Sequence, residues 1–203
     1  MIGNSWNHRL ARIYVRPLVR TRVTPNHITT LRLLTGLAAS AALAVGDAVW
    51  SNCGAVLWLV SAQLDRADGE LARLAGKSSQ WGHRYDFVSD MVVLAAFFIG
   101  AGIGLRESVL GYWSIPMGVA AGISAAACTS MAESFTNQMG GGAKIYPSRW
   151  GFDFDDIMML FAPVVWLGWL MYFVAGASVG APIFVLLTVF VMRKRRERGT
   201  KTA

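Results

Sequence analysis

The sequence predicts an all-α fold: a polytopic membrane bundle of six transmembrane helices with an N-terminal amphipathic helix at the interface. Three observations predict it. The 203 residues are 54% hydrophobic with a mean hydropathy of +0.43, too apolar for an ordinary soluble domain of this length. Apolar runs of roughly fifteen to twenty residues, near the length that crosses a hydrocarbon core at 1.5 Å per residue, recur along the chain. The net charge of +7 comes from basic residues gathered in the segments that flank those runs, which suits anionic lipid headgroups and gives a nucleic-acid partner no support.

Residues 1–27 form a juxtamembrane segment. Arg9, Arg12, Arg16 and Arg20 recur every three or four residues with Leu10, Ile13 and Leu18 between them. That pattern predicts a helix lying on a negatively charged leaflet, bent at Pro17. The polar, basic start carries no small-residue cleavage site, so the first span is expected to be retained.

The membrane domain is expected over 28–192, with spans at about 28–45, 49–64, 87–104, 112–131, 157–175 and 179–192. Pro25 and Asn26 are helix-start residues for the first span. Arg32 falls about one turn into it, where a guanidinium requires an anionic neighbour. Gly100-x3-Gly104, Gly118-x3-Gly122 and Gly176-x3-Gly180 permit close helix approach or a homodimer. Pro163 is expected to kink the fifth span, and Trp6, Trp50, Trp81, Trp113 and Trp150 to anchor helix ends at the interface. Cys53 and Cys128 lie in apolar surroundings without metal-ligand spacing and read as packing residues. A basic cytoplasmic tail occupies 193–203.

The basic residues concentrate in the N-terminal arm, the 66–85 turn, the 134–154 connection and the tail, whereas the opposite loops carry only Arg106. The positive-inside rule therefore predicts a multi-pass protein of the cell inner membrane with both termini and the 66–85 turn in the cytoplasm. Within 134–154, the cluster of Gly140, Gly141, Gly142, Lys144 and Arg149 lacks the Gly-Lys-Ser/Thr helix start of a P-loop. Asp153, Asp155 and Asp156 read as capping residues for the fifth helix.

Chemistry concentrates between Leu64 and Asp90. Asp65 and Asp68 are three apart, Asp86 and Asp90 four apart, so on helices each pair projects from one face. Carboxylates at the edge of a hydrocarbon slab must be paired, metal-bound or hydrated. A polar connection with Gly76, Lys77, Ser78 and Ser79 turns the chain back, so a hairpin can point four carboxylates into one cleft. An oxygen-only donor set without His or Cys spacing favours Mg2+ or Mn2+ over zinc, and two ions would offset the mutual repulsion of four aspartates.

Written out, Asp65-x2-Asp68-Gly69-x2-Ala72-Arg73-x8-Gly82-x3-Asp86-x3-Asp90 resembles, at every specified position and gap, the signature of the CDP-alcohol phosphatidyltransferase family. The entrance Pro25-Asn26-x2-Thr29-x2-Arg32 resembles a second sequence common near the start of the same family. The resemblance implies transfer of a phosphatidyl or similar lipid-phosphate group from a CDP-linked donor, such as CDP-diacylglycerol, to an alcohol, with release of CMP. It implies Asp65, Asp68 and Asp86 as metal ligands and Asp90 as general base that also touches a second metal. Pro25, Asn26, Thr29, Arg32, Gly69, Ala72, Arg73 and Gly82 would form the CDP site.

The acceptor stays open. Lys144, Arg149 and Arg193 resemble the basic pockets with which some family members hold a phosphorylated alcohol such as inositol phosphate or glycerol phosphate, and they serve equally as topology signals. The acidic 153–156 segment suits a polyol or a cationic alcohol instead. Two other readings compete: an intramembrane prenyltransferase, which also sets aspartates and magnesium around a pyrophosphate, and a transporter in which the acidic residues conduct cations.

Overall fold

The structure, a computed structural model, describes residues 6–138 and 158–199, with the side chains of 6–8, 132, 135–138 and 191–199 left undescribed, and every regular element in it is helical. Helix α1 spans Trp6–Val15 and passes into a 3₁₀ turn over Arg16–Arg20, the bend expected at Pro17. Then follow α2 (Pro25–Val45), α3 (Ala48–Leu74), α4 (Gln80–Gly104), α5 (Ser114–Gln138), the six-residue α6 (Phe161–Trp166) and α7 (Leu170–Gly199).

Local sequence explains the boundaries. Pro25 opens α2, where its missing N–H costs no bond. Gly46 closes the helix in the left-handed region at φ 92°, a conformation that suits a residue without Cβ. The last carbonyls of α2 are satisfied from across the bundle: Arg106 donates from Nη1 to Ala44 O at 2.9 Å and from Nη2 to Val45 O at 3.3 Å. Asp47 caps α3 by accepting from the Trp50 N–H at 2.8 Å, and Ser79 caps α4 by accepting from Gly82 N–H at 2.9 Å.

Several expected spans are redrawn. Helices α3 and α4 outlast the apolar runs of the second and third spans, so Asp65 lies inside a continuous helix and the connection shrinks to residues 75–79. Hydropathy ends a span at its first charges, but residues 65–74 are mostly Ala, Leu, Arg and Glu, good helix formers, and α3 packs on α1 and α2, so the helix runs on through the charged residues. The fifth and sixth spans are not separated at 175–179. The break comes earlier, at Gly168 with φ 72°, and residues 170–199 form one helix that carries Pro182 in its interior. Pro163 kinks nothing; it stands in the first turn of α6, where it replaces no hydrogen bond. Among the described residues, four helices, α2, α4 with its 3₁₀ extension, α5 and α7, are long and apolar enough to cross a membrane. The 27-residue α3 packs chiefly on α2, with α1 and α6 against its other sides, and carries its charges in its C-terminal half. The chain is a multi-pass integral membrane protein.

Glycine sets how closely the helices approach. A Cβ at Gly100 would sit 2.2 Å from Ser40 O and one at Gly104 2.1 Å from Leu43 O, which presses α4 onto α2. Gly102 and Gly118 face one another across α4 and α5, where a Cβ on either would fall within 3.0 Å of the other's Cα. Two of the three small-residue spacings thus serve packing within the chain. The third does not: a Cβ at Gly176 or Gly180 would meet no other element within 4 Å among the described residues. Aromatic rings fill the centre, with Trp58 on Phe97 and Phe161 at centroid distances of 4.5 and 5.3 Å, and Phe173 of α7 against Phe98 and Phe161. Trp58 also donates from Nε1 to Met158 O at 2.8 Å, which locks α6 against α3.

The surface fits a lipid environment. Val179, Ile183, Leu186, Leu187 and Phe190 are exposed along α7, and Trp50, Trp81 and Trp113 are exposed at helix starts, as interfacial anchors are. Trp6 opens α1, while Trp150 lies outside the described residues.

Candidate active site

Helices α2, α3 and α4 meet at one end of the bundle, and the acidic residues converge there. One carboxylate oxygen from each of Asp65, Asp68 and Asp86 lies within 4.8 Å of the other two. Asp68 is 3% exposed and accepts from Thr29 Oγ1 at 2.7 Å. Asp86 Oδ1 is buried without a hydrogen-bond partner. That oxygen has a cation beside it, Arg32 Nη1 at 3.5 Å, but no hydrogen bond to offset its burial, and an all-oxygen set of this size matches the preference of a hard divalent cation. The residues therefore fit a hard divalent cation.

Asp90 stands apart from that triad, one helical turn beyond Asp86, and connects through Arg32. The Arg32 guanidinium, 7% exposed, pairs with Asp65 Oδ1 at 3.2 Å, with Asp86 Oδ1 at 3.5 Å and with Asp90 Oδ1. The anionic neighbour that Arg32 requires in an apolar span is thus supplied three times. Arg66 adds a contact to Asp65 Oδ2 at 3.5 Å.

The residues expected to bind CDP lie around the same cleft. Pro25, Asn26, Thr29 and Arg32 occupy the first two turns of α2. Gly82 in the first turn of α4 faces Asn26, for a Cβ there would fall 3.0 Å from Asn26 Oδ1. Gly69 lies under Arg73, whose Nη2 would be 3.4 Å from a Cβ at Gly69. Ala72 lies in the last turn of α3, its carbonyl accepting from Lys77 N–H at 3.1 Å. Lys77 Nζ in turn reaches Thr21 O and Val23 O at 3.3 Å, which ties the 75–79 connection to the segment that leads into α2.

The acceptor candidates are not gathered into a site. Lys144 and Arg149, with Asp153, Asp155 and Asp156, lie outside the described residues. Arg193 falls on α7, and its side chain is not among those described.

Sequence reasoning missed Glu70, which is 1% exposed. Its Oε2 accepts from Arg12 Nε at 3.0 Å and its Oε1 from Arg73 Nη2 at 2.9 Å. Burial alone would push this carboxyl up, but the bonds from Arg12 and Arg73 outweigh it and hold Glu70 below the ordinary glutamate range. A signal was present: Arg66, Glu70 and Arg73 alternate in sign at helical spacing. Two further contacts were also unforeseen, Thr30 Oγ1 to Tyr85 OH at 2.9 Å and His83 Nε2 to Glu133 Oε1 at 2.8 Å.

A carboxylate triad from α3 and α4, with Thr29 and Arg32 of α2 and a fourth aspartate beside it at the end of a membrane bundle, suits a metal-dependent membrane enzyme. The profile of CDP-alcohol phosphatidyltransferases matches residues 22–192, and the chain belongs to that family. It is a CDP-alcohol phosphatidyltransferase. No curated protein sequence matches it. Its fold is similar to the crystal structure of Mycobacterium tuberculosis phosphatidylinositol phosphate synthase (PgsA1) with CDP-DAG bound. The TM-score is 0.64 and the identity 18%, over 90% of this chain and 94% of that one.

Proposed function

We propose that the enzyme transfers a phosphatidyl group from CDP-diacylglycerol to a phosphorylated alcohol at a site that holds two Mg2+ or Mn2+ ions. Asp65, Asp68 and Asp86 serve as ligands, and Asp90 is both the general base and a contact of the second ion. The observation that carries this reading is the triad itself, three carboxylate oxygens mutually within 4.8 Å in a chain of this family. The prenyltransferase and transporter readings lose their support with the family match.

Each residue then has a task. Asn26, Thr29, Gly69, Ala72, Arg73 and Gly82 line the cleft for CDP, the glycines by leaving room for it. Asp90 accepts the proton of the acceptor hydroxyl as that oxygen bonds to the phosphatidyl phosphorus; the pyrophosphate P–O bond breaks, and CMP leaves. Bound between the aspartates, the divalent ions would polarise the phosphoryl oxygens and stabilise the leaving group. Thr29 orients Asp68, and Arg32 holds Asp65, Asp86 and Asp90 in register.

The acceptor is proposed as inositol phosphate or glycerol phosphate, held by Lys144, Arg149 and Arg193. Its support is the basic character of these positions and the product named for the M. tuberculosis relative. Residues 28–192 constitute the catalytic domain, 1–27 the juxtamembrane arm and 193–203 a cytoplasmic tail. Site and termini face the cytoplasm of a cell whose inner membrane holds the protein, in keeping with its basic loops. The open faces of Gly176 and Gly180 support a homodimer through α7.

The test is to incubate purified protein with CDP-diacylglycerol, Mg2+ or Mn2+ and a panel of alcohols, and to identify the lipid product by mass spectrometry. A phosphorylated product with stoichiometric CMP is expected. A product formed only from an unphosphorylated alcohol would overturn the acceptor, and no CMP with any acceptor would overturn the whole reading.

A further inference from the structure

Glu70 is a buried carboxylate that the proposed chemistry does not use. It lies on α3 two residues after Asp68, yet it turns away from the aspartates toward α1. Ala11 and Val15 of α1 are fully buried in the same packing, and Tyr14 OH donates to Gln63 O of α3 at 3.0 Å, so the arm is seated on the helix that carries the site. Arg12 reaches Glu70 from this arm, and Arg73 reaches it from the next turn of α3. Arg73 in turn lies over Gly69, and its side chain remains about half exposed at the mouth of the cleft.

We propose that Glu70 is a positioning residue for the donor: it fixes the Arg73 guanidinium over Gly69, while Arg12 from the N-terminal arm balances its charge. The electrostatics explain why two arginines are required. A Glu70–Arg73 pair alone would be neutral and attract no diphosphate. With Arg12 on the second carboxylate oxygen, the three side chains sum to one positive charge, so Arg73 is held in place and still presents attraction to an anionic donor. An arginine without its carboxylate would swing into water, with the freedom of a long side chain to lose on binding. The arm is thereby part of the donor site although none of its residues need touch the donor. This inference rests on the placement of CDP beside Gly69 and Arg73.

The experiment uses the full chain in detergent, with CMP release measured against CDP-diacylglycerol concentration and donor binding followed by calorimetric titration. Glu70→Gln is expected to raise the KM for donor, and to weaken donor binding, by about tenfold with kcat within about twofold, the loss typical of one charge-assisted hydrogen bond. A merely structural role would instead lower the active fraction, and so kcat, at unchanged donor KM. Arg12→Gln is expected to shift donor KM in the same direction by a smaller factor. In an Arg73→Gln background, Glu70→Gln is expected to add nothing further. If Glu70→Gln loses the fold, Glu70→Asp, which keeps the charge but withdraws the carboxylate, carries the same expectation. An unchanged donor KM in Glu70→Gln, or an equal further loss in the Arg73→Gln background, would overturn the role of Glu70. An Arg73→Gln enzyme with unchanged donor KM would instead overturn the placement of CDP.

Discussion

Asp90 and Asp65 differ by their neighbours more than by their chemistry. Asp65 belongs to the triad, whereas Asp90 is reached through Arg32. Asp90→Asn is therefore expected to retain donor binding while CMP release falls about 10²–10⁴-fold, the usual contribution of a general base. Asp65→Asn should lose binding and turnover together, and a titration beside a CMP assay separates the two; an active Asp90→Asn enzyme would remove the base assignment. Chelation with EDTA should abolish CMP release from the wild type, and added Mg2+ or Mn2+ should restore it. Arg32 was legible in the sequence because a charge in an apolar run has few explanations, and the four aspartates because their three- and four-residue spacings put each pair on one helix face. Glu70 was not, because its surroundings in the sequence are polar and its burial is made by α1, more than fifty residues earlier.

The helices carry a different set of expectations. Where α4 meets α2, Gly100 and Gly104 bring carbonyls closer than any side chain allows, so Gly100→Ala should destabilise the protein by about 1–3 kcal/mol, the usual cost of overpacking. Gly176→Ala, with open space around it, should leave the melting temperature in detergent unchanged or slightly raised, since alanine is the better helix former. Thermal unfolding of the two variants side by side checks both. From sequence the three glycine spacings were equivalent; only their neighbours distinguish two that pack inside the chain from one that faces outward. Helix ends were legible where a cap announces them, as at Pro25. They were misplaced where hydropathy stood in for backbone geometry, as at Leu64, which lies within α3, and at 175–179, which lies within α7.

Among the described residues, four helices are long and apolar enough to cross a membrane where hydropathy along the sequence reads six spans, because α3 carries charges and the chain breaks early at Gly168. The proposed orientation is testable after replacement of Cys53 and Cys128 by alanine. A cysteine at Ser78 should react with a membrane-impermeant thiol reagent only from the cytoplasmic side, and one at the exposed Val109 only from the other; reversed labelling would invert the topology. The glycine contacts also bear on how such an enzyme can change. Helices α2, α4 and α5 touch backbone to backbone, so their spacing cannot widen to admit a bulkier head group without breaking the assembly. Helix α7 meets few such restraints along its exposed glycines. Laboratory selection for a new acceptor should accordingly accumulate its successful substitutions among the proposed acceptor positions Lys144, Arg149 and Arg193 and along α7, and leave the first hundred positions nearly untouched.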